Sequence, residues 1–258
     1  MSGAHPLATS PSARVGVFID GQNLYQACRR VFGHPLCHPH LLAEWLAGPR
    51  VRHAPYVRFY TGRANPNMSE EAKKVRNLDR RLRAMEKAGV LTIVRPLRYH
   101  WDWGHREALP AAHPQSEPRQ VTLAPWQRPQ EKGIDLVIAL DVIEFMLAGR
   151  CDVAIIVSLD RDLCEIPRAF RTLRSLIDRP TRLEAAVPVA SESSRKTLEG
   201  FHYTHRITPR VFQLIRDDTD YTVEDDRWKP PVLPRDLAQR QAEAAASPGP
   251  SRDESATM

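Results

Sequence analysis

No stretch of this sequence approaches the ~18 consecutive apolar residues that a membrane helix requires. The opening segment MSGAHPLATSPSAR has no apolar run either, so no secretory leader is read there. The four cysteines, Cys28, Cys37, Cys151 and Cys164, form no close CxxC pair. That spacing argues against structural zinc and against a disulfide framework, and fits free thiols in a reducing compartment. No Gly-rich phosphate loop is present, and none of the ten histidines stands in an HExxH spacing. P-loop nucleotide hydrolysis and zinc-peptidase chemistry are thereby disfavoured. A soluble, cytoplasmic protein without a membrane partner is expected.

What is present begins with charge. The chain of 258 residues carries a formal net charge of +6, unevenly placed. Residues 1–110 hold 17 Lys and Arg against 8 Asp and Glu, and the remainder holds 20 against 23. A basic half of this kind suits a surface that meets phosphate. The length suits one α/β domain with tails. Residues 1–13 read as a disordered tail, 14–216 as the domain, and 217–258 as a flexible acidic, then Pro- and Ala-rich tail.

Within 14–216 the pattern alternates. Arg14-Val-Gly-Val-Phe-Ile-Asp20 holds an apolar run that stops at an acid and Gly21, as a buried parallel strand does. Strands are also predicted at 56–60, 90–94, 152–158 and 183–189. Helices are predicted after Asp20 (with Asn23 as cap), at 39–47, 70–88, 133–148 and 162–177, and near 193–199, with an apolar segment at 211–215. On 70–88, Val75, Leu78, Leu82 and Met85 form one apolar stripe. Lys73, Arg76, Arg80, Arg83 and Lys87 form a second, basic stripe, which reads either as a phosphate-tracking face or as an ordinary solvated one. Residues 96–131, with six prolines and three tryptophans, read as an irregular insertion. There Trp101, Trp103, His105 and Arg106 could stack on unpaired bases, or simply anchor the loop. The alternation implies a Rossmann-like three-layer sandwich around a mostly parallel sheet, whose working crevice lies at the carboxyl ends of the strands.

Four aspartates fall where that crevice should be. Asp20, Asp160 and Asp162 follow strand ends, and Asp135 lies in a first helical turn. Taken singly, each is better explained as a cap on backbone N–H groups. Taken together they need another account. Two like charges ~4 Å apart repel by about 4 kcal/mol at an effective dielectric near 20. Hard carboxylate oxygens of this kind suit Mg²⁺ or Mn²⁺, which retain water and bind phosphate. Asp141, six residues beyond Asp135, falls on another helix face and is left outside the set.

The segments VGVFIDGQNLY (15–25), YTGRANPN (60–67), EKGIDLVIALD (131–141) and CDVAIIVSLDRDLCEIPRAF (151–170) resemble the NYN domain, a branch of the PIN-like nucleases. The resemblance covers about residues 14–215. It implies a PIN-like fold, a metal-dependent ribonuclease activity, bacterial relatives and RNA, single-stranded in our reading, as partner. It also implies an acidic set at Asp20, Asp135, Asp160 and Asp162, with Asn23 as polar companion. Asn23 and Ser158 are expected to orient ligands, and Lys132, Arg161, Arg63, Arg76, Arg80 and Arg83 to contact RNA. The family has Ser-Gly-Asp-Ser-Asp where this chain has Ser158-Leu-Asp-Arg-Asp162, so a loop strained at Leu159 is expected if that Gly needs positive φ. A non-catalytic RNA-binding module and a small-molecule phosphohydrolase stand as the alternative readings, and a homo-oligomer is left open.

Overall fold

The computed structural model describes residues 13–51, 53–67, 71–105 and 123–223. The expected N-terminal tail and the chain beyond 223 therefore lie almost wholly outside the described residues. So do Arg106 and the side chains of Trp101, Trp103 and His105.

The run at 15–20 is a strand, β1 (Val15–Asp20), buried along its whole length. Such a strand has no polar face, so it needs cover on both sides and takes the centre of a parallel sheet. Helices α1 (Gly21–Phe32) and α2 (Pro39–Ala47) follow, then β2 (Tyr56–Arg63), α3 (Ala72–Lys87) and β3 (Leu91–Pro96). After an excursion described below come α4 (Ile134–Leu147), β6 (Val153–Val157), α5 (Glu165–Leu173), β7 (Arg182–Pro188), β8 (Tyr203–Ile207) and α6 (Pro209–Ile215). Six strands pair in the order β3-β2-β1-β6-β7-β8, all parallel. The chain winds outward from β1 through β2 to β3, then returns to the other side of β1. Winding therefore reverses between β1 and β6, the place where α/β sheets open a crevice at their carboxyl ends.

Alternate side chains of β1 supply the two cores, as the period of a strand requires. Val15, Val17 and Ile19 pack with α1, α2, α3 and α6 on one face. Phe18, with Tyr60 of β2 and Ile156 of β6, packs under α4 and α5 on the other. Each fully buried Leu, Ile or Phe contributes about 1.5–3 kcal/mol.

Several expectations are corrected. Residues 96–131 are not irregular throughout. They contain an antiparallel two-stranded ribbon, β4 (Arg98–His105) and β5 (Leu123–Gln130), paired from Arg98↔Gln130 to His105↔Leu123. Both strands of a ribbon are edges, so Pro125 and Pro129 cost little where no partner needs their N–H. A sixth parallel strand, β8, runs through the polar sequence Tyr203-Thr-His-Arg-Ile207. No helix forms near 193–199. The start of the expected flexible tail is packed: Asp217 and Tyr221 are buried, and the Tyr221 hydroxyl donates to Asp217 Oδ2 at 2.8 Å. That segment lies on α3, where Arg80 Nη1 donates to the Tyr221 carbonyl at 3.1 Å. Arg80 is consequently only 9% exposed and drops out of the basic stripe, whereas Lys73, Arg76, Arg83 and Lys87 stay exposed.

One buried polar cluster ties the amino-terminal ends of the strands together. Glu184 on β7 is fully buried, accepts Arg50 Nη1 at 2.9 and 3.0 Å, and lies 2.7 Å from His205 Nε2 on β8. Burial alone would raise its carboxyl, but the bonds from His205 and Arg50 outweigh that and hold it below the ordinary 4.5. A carboxyl depressed in this way stabilises the folded chain above its ordinary value and loses that contribution as pH falls through the lowered one. The Glu184 contribution should therefore be complete above pH 4.5 and fade below it, so the gap in unfolding midpoint between the chain and Glu184→Gln should narrow as pH falls below that value, and a gap that stays constant would refute this assignment. Arg50→Ala should cost about 3 kcal/mol in urea melts, the low end for breaking a buried pair, because His205 and Arg182 remain beside Glu184.

Candidate metal and phosphate site

Asp20 ends β1 at the reversal point and performs two tasks. Its Oδ1 accepts the Asn23 N–H at 3.0 Å, so Asp20 rather than Asn23 caps α1. Its Oδ2 accepts the Ser158 hydroxyl at 3.1 Å. Gly21 must follow, because a Cβ there would lie 2.7 Å from the Tyr60 carbonyl oxygen. Strand pairing of β1 with β6 then places the next loop alongside: Ile19 pairs with Val157, and Ser158 leaves β6 one residue later.

That loop is organised by the same network. The Asp160 N–H donates to Ser158 Oγ at 3.0 Å, and the Asp162 N–H donates to Asp160 Oδ1 at 3.0 Å. Asn23 Oδ1 accepts the Leu159 N–H at 2.7 Å, which clasps the β6 loop to the start of α1. The expected strain at Leu159 is absent: no non-glycine among the described residues has positive φ. Leu159 instead packs toward Ala185, Val187 and Leu198.

Asp135 arrives from the opposite direction. Gly133, at φ 76°, turns the chain into α4, and Asp135 sits in its first turn. The positive φ explains the Gly of the Lys132-Gly-x-Asp135 segment, since other residues pay to adopt it. Burial raises the Asp20 carboxyl, the bonds from Asn23 and Ser158 lower it, and the charges of Asp160 and Asp135 raise it again. Asp20 thus feels both other acids across the crevice.

Glu131, overlooked in the sequence reading, belongs with them. It is the residue after β5, and its Oε2 accepts the Gly62 N–H. A Cβ at Gly62 would stand 2.6 Å from that oxygen, so the approach depends on glycine. Burial, then Asp20 and Asp135, push the Glu131 carboxyl up to about 7 against the pull of the Gly62 bond. The signal was available: Glu131 adjoins the Lys-Gly-x-Asp segment.

The remaining residues are placed less centrally. Asp162 is exposed, and only its peptide N–H joins the network. Lys132 and Arg161 are exposed near the acids in sequence. Arg63 is held by Asp79 of α3 through two bonds of 2.8 and 2.7 Å. Asp141 accepts the Tyr60 hydroxyl at 2.7 Å and pairs with Arg58, away from the acidic set.

The donor set fits a hard divalent cation, for it offers carboxylate oxygens and no thiolate or imidazole. Among the described residues no three His, Cys, Asp or Glu side chains are spaced to enclose an ion unaided. Water and phosphate would complete the shell, which is how Mg²⁺ is ordinarily held.

Comparison with known proteins bears on the same region. A search among curated proteins finds no match. A crystal structure of a protein of unknown function from Vibrio parahaemolyticus is similar at 14% identity, over 78% of this chain and 96% of that chain, with a TM-score of 0.43. The model of the NYN domain matches residues 14–177, from β1 through α5, a span that holds Asp20, Glu131, Asp135, Asp160 and Asp162. The chain belongs to the NYN domain family, within the PIN-like nuclease superfamily.

Proposed function

We propose that this protein is a divalent-metal-dependent ribonuclease that hydrolyses phosphodiester bonds of single-stranded RNA. The observation that carries this reading is the meeting of Asp20, Glu131, Asp135 and Asp160, from three separate parts of the chain, close enough that the charges of Asp160 and Asp135 bear on Asp20 and those of Asp20 and Asp135 bear on Glu131. Uncompensated, such a cluster destabilises the fold, and a doubly charged ion removes the repulsion. Asp20, Asp135 and Asp160 would hold Mg²⁺ or Mn²⁺ directly or through water, with Asp162 and Glu131 at the margin. The bound ion would supply a more acidic water and neutralise charge developing on the phosphate.

The chain's own residues do the rest. Ser158 and Asn23 fix the Asp20 carboxylate and the β6 loop, so the oxygens are aimed before substrate arrives. Lys132 and Arg161, exposed beside the acids, are assigned to phosphate, and Arg76 and Arg83 on α3 to the flanking backbone. Arg63 contributes by bracing α3 through Asp79. Arg80, bonded to Tyr221, is excluded from this role.

Asp20→Asn keeps the cap, because an amide oxygen still accepts the Asn23 N–H, yet removes the charge. Cleavage of single-stranded RNA in Mn²⁺ should fall by on the order of 10³, the equivalent of several kcal/mol, while the melting curve is retained. Wild-type protein inert toward a broad RNA panel would sink the proposal, and RNA binding indifferent to chelator would then favour a non-catalytic binding module. Turnover of mononucleotides without length dependence would favour a small-molecule phosphohydrolase. Calorimetric titration of Mn²⁺ should show Asp160→Asn binding about tenfold or more weakly than wild type, and equal affinity would remove Asp160 from the site.

A further inference from the structure

Beside the acidic crevice lies a cavity of about 640 Å³, walled by α1, the end of β2, α3 and residues 219–222. The volume is in the range of small-molecule sites. It shares structure with the crevice at two points. Gly21, which follows Asp20, and Gly62, whose N–H holds Glu131, both line it. A strand of RNA with a phosphate at the acids would therefore present a neighbouring nucleotide to the cavity mouth.

The walls are largely apolar, with Val75, Leu78 and Leu97, and carry the aromatic residues Tyr25, Phe59 and Tyr221. Of the charged residues that line it, Glu71, Lys74, Arg81 and Asp220, Arg81 alone is buried. It lines the cavity at 9% exposure, and its guanidinium lies over the Phe59 ring at 5.4 Å. Among the described residues it has no carboxylate within ion-pair distance, its hydrogen bond to the Cys37 carbonyl is long at 3.5 Å, and its Nε is buried without an acceptor. Burying donors without acceptors is costly. The arrangement is explained if the acceptors arrive with a ligand.

We propose that this cavity takes an unpaired nucleobase of the RNA, and that Arg81 makes it selective for bases bearing carbonyl oxygens, guanine and uracil. The proposal rests on the ribonuclease reading for its choice of ligand. A guanidinium offers donors only. Guanine presents O6 and N7 to it, and uracil its carbonyl oxygens. Adenine and cytosine present amino N–H groups at the corresponding positions, donor against donor. A flat ring between apolar walls satisfies the rest of the cavity, and reading splayed bases in this way is how single-stranded RNA is discriminated. A phosphate in the same place would pair the charge but leave the apolar walls unused.

The test needs neither metal nor cleavage. The full chain in chelator is titrated with 5′-GMP, 5′-UMP, 5′-AMP, 5′-CMP and inorganic phosphate, followed by nuclear magnetic resonance. GMP and UMP should bind about tenfold more tightly than AMP and CMP, and inorganic phosphate should not displace them. Arg81→Met should abolish the discrimination without lowering the melting temperature, because it removes a buried charge that has no ion-pair partner. Gln26→Trp, on the exposed side of α1 at the cavity, should weaken GMP and UMP binding about tenfold, and serves if Arg81→Met does not fold. Equal binding of all four nucleotides, discrimination that survives Arg81→Met, GMP and UMP binding unaffected by Gln26→Trp, or displacement by phosphate would each overturn the proposal. A chain that binds GMP but cuts no RNA would sink the ribonuclease reading and leave the pocket. An active chain without base discrimination would sink the pocket alone.

Discussion

Like charges brought together at one point of a parallel sheet are the constraint around which this protein is organised. Pairing β1 with β6 leaves Asp20 and Ser158 adjacent at the reversal of winding, and Asp160 two residues beyond. Nothing in the hydrophobic effect asks for that arrangement; burial works against it, lifting the Asp20 carboxyl above its ordinary value. The fold tolerates it because the polar bonds of Asn23 and Ser158 compensate part of the cost, and because a cation can compensate the remainder. Charge at the opposite end of the strands is handled differently. Glu184 there is already paired with Arg50 and in contact with His205, so that cluster is closed and structural. The contrast between a satisfied and an unsatisfied acid separates scaffold from site.

Much of this was readable from the residues. Strands with both faces covered are continuous apolar runs, which is why 15–20 and 153–157 stand out, and why acids that end such runs are placed with confidence at the sheet's edge. The cap on α1 was assigned to the wrong neighbour: Asp20 does that task, and Asn23 clasps the β6 loop. β8 was missed because an edge strand of mixed polarity has no period that distinguishes it from a loop. The ribbon was missed because proline counts against strands wherever a ladder on both sides is assumed.

Charged residues misled in one direction only. Counting periods along α3 puts Arg80 in an exposed stripe and says nothing of Arg81, because periodicity presumes that cations face water. Both are buried: a segment beyond the last helix returns to cover Arg80, and Arg81 turns inward over Phe59 toward the Cys37 carbonyl. Which surfaces are covered by distant chain is not encoded locally. Glu131 is the converse case: no period marks it, and its importance comes from a contact with Gly62, 69 residues earlier.

The ribbon has a consequence for how this family member can vary. Its first arm leaves from Leu97, fastened to the Arg63 carbonyl at the crevice, and its second arm returns directly into Glu131. Both arms are thus anchored where they leave and re-enter the crevice, like a hairpin clipped at its base. Lengthening the two arms equally would preserve the phase in which the chain re-enters the crevice, whereas an extra residue in one arm would have to be absorbed as a bulge before Gln130. Length added in step to both arms therefore leaves the register at the root undisturbed.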